Sequence, residues 1–345
     1  MSIAERKDSH LALCLGEAVE SGDGASGFAA LRFEHDALPE IDLDDVVTET
    51  ELLGKRLAAP LVIGAMTGGT PRAAELNGRL ASAAARCRVG FALGSQRRML
   101  QDPSTRPSYA VRDSAPDLPL LFGNIGAVQL NLGVGAPELR TLVREVGCDA
   151  FYFHLNPLQE AVQPEGDTRF GALVARLREI VPQVGVPVLL KEVGSGISEP
   201  TALKMRDLPI AGVETAGVGG TSWSKVESLR AADPIRRGIG ELFACWGVPT
   251  AESIATCRRV LPDRVVIASG GLRNGIEVAK ALALGADAAA LALPLLRAAD
   301  RSADAAAEVI RTIVAELRTV MFLTGCRTVA DLRQRRLTRD RDLTA

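Results

Sequence analysis

The sequence predicts an α/β fold, a parallel (β/α)8 barrel of the TIM type with an N-terminal extension, and three observations carry that expectation. From Pro60 onward, short apolar runs closed by Gly, Asn, Ser or Pro alternate with longer Ala-, Leu-, Arg- and Glu-rich stretches of helical spacing. Eight such runs fall within about 235 residues, the repeat number and size of a barrel. Polar, chemically able side chains follow the carboxyl end of nearly every run, where barrels place their chemistry. A doubly wound sheet is the competing arrangement for alternating strands and helices. The ring of polar strand ends favours the barrel.

The strands are expected at 61–65, 89–93, 118–123, 149–154, 186–191, 210–215, 265–269 and 286–291, with helices at 72–87, 138–146, 170–181 and 276–284. The stretch 222–263 reads as a helical insertion between strands 6 and 7, lying over the top face. An Ala/Leu-rich helix over 303–323 has apolar surface for packing within or between subunits. Residues 1–58, with a Gly/Ser cluster and the acidic run DLDDVVTETE, form an irregular extension before a barrel unit of 59–345.

Composition narrows the function. Of 345 residues, 47% are hydrophobic and 24% charged, as in a folded soluble chain. Only 9 Phe, 2 Tyr and 2 Trp are present, too few for a base-stacking surface. Lys and Arg total 40 against 42 Asp and Glu, so no overall field draws nucleic acid or anionic membranes. The partners expected are small molecules and further copies of the chain. Cys14, Cys87, Cys148, Cys245, Cys257 and Cys326 form no CxxC pair, which excludes a zinc ribbon and points to a reducing cytoplasm. The uncharged stretch 118–137 is broken by Gly, Asn, Gln and Pro and does not read as a membrane span.

The seventh strand ends in ASGGLRNG and the eighth leads into ALPLL. Loops after these two strands hold phosphate in many barrels, so Ser269, Gly270, Gly271 and Arg273 with Ala292 and Leu293 are read as one phosphate cradle. The motifs GAMTGGT, LGSQRR, GNIG, KEVGSGIS and AGVGGTSW end five further strands. They offer Thr67, Ser95, Asn124, Lys191 and Thr221 around a planar polar ligand, as a flavin is. Lys191 ends an apolar strand, where lysine is costly unless used, and suits the cation needed near the flavin N1–C2=O edge.

In FYFHLNPLQEAVQPEGD, strand alternation projects His154 and Asn156 together, with Gln159 and Glu160 just past Pro157. Four polar side chains within seven positions read as a site, and Glu160 can share Mg²⁺ with phosphate oxygens. Arg6, Lys7 and His10 of RKDSH, with the pair Arg97 and Arg98, could surround a second phosphorylated group.

These segments, RKDSH, MTGGT, GSQR, HLNPLQEAVQPEGD, KEVGSGIS, GVGGTSW, ASGGLRNG, ALPLL and LTG, resemble in order the type 2 isopentenyl-diphosphate Δ-isomerase family, from residue 6 to about residue 332. The resemblance implies an FMN-dependent barrel that interconverts isopentenyl and dimethylallyl diphosphate by a 1,3-proton shift, with FMN reduced by NADPH (or NADH) and with Mg²⁺. It implies FMN contacts from Met66, Thr67, Gly68, Ser95, Asn124, Lys191, Thr221, Gly270, Gly271, Arg273, Ala292 and Leu293. Substrate contacts are implied for Arg6, Lys7, His10, Arg97, His154, Asn156, Gln159 and Trp223, and a metal role for Glu160. Gln159, Glu227 and His154 are the implied catalytic side chains, the extension 1–58 becomes a substrate lid, and a homotetramer or octamer is implied. A 2-hydroxy-acid oxidase is the competing flavin barrel. It wants a histidine base late in the barrel, and the histidines here, His10, His35 and His154, all precede the fifth strand.

Overall fold

The computed structural model describes residues 3–22 and 25–339. Strands β1 (Leu61–Ile63), β2 (Gly90–Ala92), β3 (Leu121–Gly126), β4 (Ala150–Leu155), β5 (Val188–Glu192), β6 (Gly212–Glu214), β7 (Val265–Ala268) and β8 (Ala288–Leu291) are the eight expected ones. They run parallel, pair in chain order and close into a barrel through the β8–β1 contact.

Alternation sorts the side chains. Phe122, Tyr152 and Leu189 fill the barrel interior, with the rings of Phe122 and Tyr152 stacked at 4.6 Å. Phe151, Phe153, Leu190 and Val213 face outward into the larger core beneath the helices. Few aromatics means many small contacts. Helix Pro71–Cys87, started by Thr70 accepting from the Ala73 N–H, buries Ala73, Leu76, Leu80, Ala81, Ala83 and Ala84.

Three features depart from a simple alternation. After β2 the regular helix is replaced by the short helix Arg97–Gln101 and 3₁₀ turns, since Pro103 and Pro107 interrupt any longer one. Between β6 and β7, helices Trp223–Arg230 and Pro234–Leu242 precede Thr250–Val260, which realises the expected insertion. Helix Ala303–Leu323 packs within the chain, against Pro71–Cys87 and Gly275–Ala283. No helix among the described residues is long and apolar enough to cross a membrane.

The stretch 1–58 reaches both ends of the barrel. Helix Ile3–Gly16 lies over the carboxyl end of the strands, and Ser21 N–H donates to Gly220 O while Ser222 N–H donates to Val19 O. Farther on, Leu31–Phe33 pairs with Leu337–Arg339, and the hairpin Thr50–Leu52/Lys55–Leu57 closes the opposite end. Lys55 Nζ meets Asp149 Oδ1 at 2.8 Å, just before β4, and Leu52 and Leu57 plug the interior beneath Val62 and Ala92. Leu57→Ala leaves a cavity at this floor and is expected to cost about 2–5 kcal/mol. A chemical-denaturation midpoint unchanged from the parent protein would contradict that role.

Candidate active site

Register places Gly126, His154, Lys191 and Glu214 in one row across β3 to β6. Lys191 Nζ donates to Glu214 Oε1 at 2.5 Å, and Ser269 Oγ donates to the same oxygen at 2.8 Å. The Glu214 side chain is wholly buried, and its Oε2 has no hydrogen-bond partner among the described residues. His154 Nδ1 lies 2.8 Å from Asn124 Oδ1, while Asn124 Nδ2 is committed to Leu93 O at 3.0 Å. Nδ1 therefore carries the proton and Nε2 a lone pair. Burial, then the charges of Lys191 and Lys7, push His154 down to about 3, so the imidazole is neutral at physiological pH.

The N-terminal helix contributes the next layer. Lys7 Nζ donates to Gly68 O (2.6 Å), Ser95 O (2.8 Å) and Tyr109 Oη (2.8 Å). The sequence reading gave Lys7 to the diphosphate. Its three protons instead join the helix to the loops after β1 and β2. Burial, then Arg6 and Arg98, lower Lys7 to about 7. Arg6 and Arg97 each keep a buried Nε with no partner among the described residues, while Arg98 turns away to Asp102 at 2.9 Å.

Glu227, on helix Trp223–Arg230, is the hub behind the cavity. Its Oε1 lies 2.8 Å from His10 Nε2 and accepts from Gln159 Nε2 at 3.2 Å, and its Oε2 accepts from Arg230. With the Gln163 amide oriented by its neighbours, its nitrogen donates to Glu227 at 3.1 Å and its oxygen accepts from Arg6 at 2.7 Å. Burial works to raise the Glu227 carboxyl, but His10, Arg230 and Gln159 outweigh it and hold the group below its usual range. Burial also lowers His10, whose ring lies edge-on to Trp223 at 5.2 Å between centroids.

Past β4, Asn156 Nδ2 donates to Gln159 Oε1 (3.2 Å) and Glu160 Oε1 (2.9 Å), and Asp167 N–H donates to Glu160 Oε2 (2.7 Å). Asn156 Oδ1 is buried without a partner among the described residues. The loop after β7 carries Gly270 and Gly271 at φ +107° and +85°, and a Cβ on either would come within 2.2 Å of a carbonyl of the β6 loop. Glycine is needed there for two loops to cross. Beside them, helix Leu293–Arg301 starts at Ala292 with no side-chain cap, and its Pro294 lies at the second helical position. Arg273 pairs with Glu20, which also faces Arg297 at 3.6 Å.

Of the residues read from the sequence as site candidates, all but Glu227 and Arg98 line one cavity, which has about 1560 Å³ of empty space including its open mouth. Glu214, Gln163, Gln129 and Arg230 were missed. Glu214 carried a legible signal, a lone charge in the apolar run GVET, the same cost that singled out Lys191. Gln163 and Arg230 sit in polar segments where nothing in the spacing separates them from solvated side chains, and Gln129 is an amide in the apolar, uncharged run IGAVQLNLGV.

The residues present fit FMN. An uncapped helix start beside the Ser269–Gly270–Gly271 loop can take a terminal phosphate, and Lys191, Thr67, Ser95, Asn124 and Thr221 ring the cavity around a polar plane. Mg²⁺ fits more narrowly. Among the described residues no group of three or more His, Cys, Asp or Glu could hold a metal, so Glu160 needs a ligand's oxygens beside it.

Fold and site together define a flavin-binding α/β barrel. Residues 172–339 match the FMN-dependent dehydrogenase family model. The chain is 48% identical over 333 residues to an isopentenyl-diphosphate delta-isomerase of Synechococcus sp., covering 96% of this chain and 95% of that one. It is 45% identical to that of Rickettsia bellii, covering 96% and 97%, and 44% identical to that of Nostoc sp., covering 93% and 91%. The chain belongs to the isopentenyl-diphosphate delta-isomerase family, in its FMN-dependent type 2 branch. Among solved structures, a putative lactate oxidase of Pediococcus acidilactici superposes with a TM-score of 0.70 at 16% identity, covering 98% of this chain and 95% of that one. A mandelate oxidase does so at 0.66 and 19%, covering 97% and 96%. These two share the fold.

A bound anion would favour the charged form of Lys7, raising it from about 7. Binding of inorganic diphosphate at pH 7.5 is therefore expected to take up protons, read by calorimetry in buffers of different ionisation enthalpy. The uptake should fall in Lys7→Met, and equal uptake in both proteins would rule Lys7 out as its source.

Proposed function

We propose that the chain interconverts isopentenyl diphosphate and dimethylallyl diphosphate at the carboxyl end of the barrel, with FMN, NADPH as its reductant, and Mg²⁺. The observation that carries this reading is the meeting of two sets of groups over one cavity: the flavin-type ring from the strand ends, and Arg6, His10, Arg97, Asn156, Gln159 and Glu160 from the N-terminal helix and two βα loops.

Reduced FMN, when bound, supplies a proton donor and acceptor beside the alkene. The chain's own groups do the rest. The buried, partnerless Nε–H groups of Arg6 and Arg97 need an anion, which a diphosphate provides. Glu160 would hold Mg²⁺ with a diphosphate's help, the metal supplying charge neutralisation there. The isomerisation adds one proton to the alkene and removes another from the resulting tertiary cation, with no net redox change. Gln159 lines the cavity and is fixed at both ends of its amide by Asn156 and Glu227. Glu227, ionised and buried behind it, supplies the negative charge that favours a developing carbocation and stands ready as proton acceptor through Gln159. His154, neutral and locked by Asn124, contacts and orients ligand rather than carrying a proton. Met66, Gly68, Thr221, Leu293 and Trp223 complete the walls, and Arg273 closes the phosphate loop, its N–H donating to Glu277 and its guanidinium held by Glu20.

An oxidase reading lacks its base. Burial and the charges of Lys191 and Lys7 hold His154 at about 3, too weak to take a proton at physiological pH, His10 is engaged with Glu227, and His35 is exposed outside the cavity. The exposed apolar side chains Ile235, Ile239, Leu242 and Trp246 on and after the inserted helix support assembly into a homo-oligomer.

With isopentenyl diphosphate, reduced FMN and Mg²⁺ in deuterated water, dimethylallyl diphosphate should carry deuterium, and unlabelled, unconverted substrate would overturn the assignment. Glu227→Gln is expected to lower kcat by roughly 10²–10⁴-fold with a smaller change in KM. A variant with parental kcat would remove Glu227 from the proton path. Mg²⁺ should bind measurably only when diphosphate is present, and tight binding of the metal alone would contradict the shared site.

A further inference from the structure

The row Gly126–His154–Lys191–Glu214 holds a group that the proposed reaction leaves without a task. Glu214 lines the cavity, is wholly buried, and pairs with Lys191 at 2.5 Å. A barrel interior has no need of an ion pair for stability, because a buried pair gains little over apolar packing of equal volume. One further contact fixes the carboxylate, and at the same oxygen: Ser269 Oγ donates to Oε1, and that hydroxyl is itself held by accepting from Ala216 N–H at 3.0 Å. The second oxygen, Oε2, is left without a hydrogen-bond partner among the described residues. Tyr152 lies one inward position below the row; burial first, then the charge of Glu214 and the approach of its carboxylate, push the phenol well up.

We infer that Glu214, paired with Lys191, sets together with it the net charge felt by the bound flavin. This rests on the FMN-binding reading above and extends it. If Lys191 were a lone cation at the flavin rim, it would favour the reduced flavin in its anionic form, which suits hydride and electron transfer. Paired with Glu214, the two residues present a nearly neutral unit with its positive end fixed in direction. Such a rim favours a reduced flavin that keeps its protons, which is what an acid/base role demands. Ser269 ties the same carboxylate to the loop that carries the phosphate glycines, so the pair, the flavin ring and the phosphate cradle share one rigid frame.

The test reads the flavin midpoint potential in protein loaded with FMN, using Glu214→Gln, Lys191→Gln, the double variant and Glu214→Asp. Removing the carboxylate should raise the potential, so that the ratio of reduced to oxidised flavin at a fixed potential increases by tenfold or more. Removing the amine should move it in the opposite direction. The double variant should return close to the parental value, and Glu214→Asp should stay within about threefold of it. Shifts of the same sign in both single variants, or a double variant that differs from the parent as much as either single one, overturn the inference. Should Glu214→Gln not take up FMN, the comparison of Lys191→Gln with the double variant decides: a higher potential in the double variant supports the charge role, and equal values overturn it. A parental protein that takes up no FMN at all would count against the cofactor assignment itself, a result distinct from yellow variants with unshifted potentials.

Discussion

Charge buried at the carboxyl end of the barrel must be paired, and that constraint shapes the whole upper half of the molecule. An ionised group taken out of water costs several kcal/mol unless charges or hydrogen bonds replace its hydration. Each buried ion here has its own solution. Glu227 collects His10, Arg230, Gln159 and Gln163. Glu160 takes Asn156 and a backbone N–H, Glu214 takes Lys191 and Ser269, and Lys7 is held by two carbonyls and a phenol. Removing any one partner exposes the next, so the polar layer behaves as a unit. Among the cavity-lining groups left unpaired, the Nε–H groups of Arg6 and Arg97 are donors on cations and mark where an anion would belong.

The fold was legible because barrel strands are buried on both faces and read as short apolar runs with sharp ends. All eight appear where the runs lie. What escaped was tertiary in origin. The short helix and 3₁₀ turns after β2, where the sequence reading placed no element, follow from two prolines within six residues. The path of residues 28–57 to the barrel floor depends on where the hairpin finds Val62 and Ala92, which no local pattern states. Among site residues, those in motifs were visible because polar groups clustered at strand ends. Lys7 was visible as well, but its contacts were not, since its acceptors Gly68, Ser95 and Tyr109 lie 61 to 102 positions away.

The solved oxidases show how little of the chemistry the barrel itself decides. At 16–19% identity they share this chain's architecture over nearly its whole length. The strand ends of this chain place a flavin-sized ring of side chains over the barrel, and function lives in what is grafted above it. Here that graft has three sources: the loop after β4 with Asn156, Gln159 and Glu160, the inserted helix with Glu227 and Arg230, and the N-terminal helix with Arg6, Lys7 and His10.

The N-terminal helix makes this arrangement conditional. Its contacts are mostly polar and directed at loops rather than at the core: Lys7 to the loops after β1 and β2, His10 to Glu227, and Cys14 O and Glu17 O receiving Arg297 at 3.1 and 2.8 Å. Arg297 stands on the helix whose uncapped start suits the flavin phosphate. The N-terminal helix and the helix start that suits a phosphate are therefore joined by one side chain, and Glu20 adds a second tie by pairing with both Arg297 and Arg273. A helix held by such contacts gains order from whatever charge fills the cavity beneath it. On the proposed reading, the FMN phosphate and a diphosphate would each bring negative charge to this surface, so each would tighten the helix over the cavity for the other.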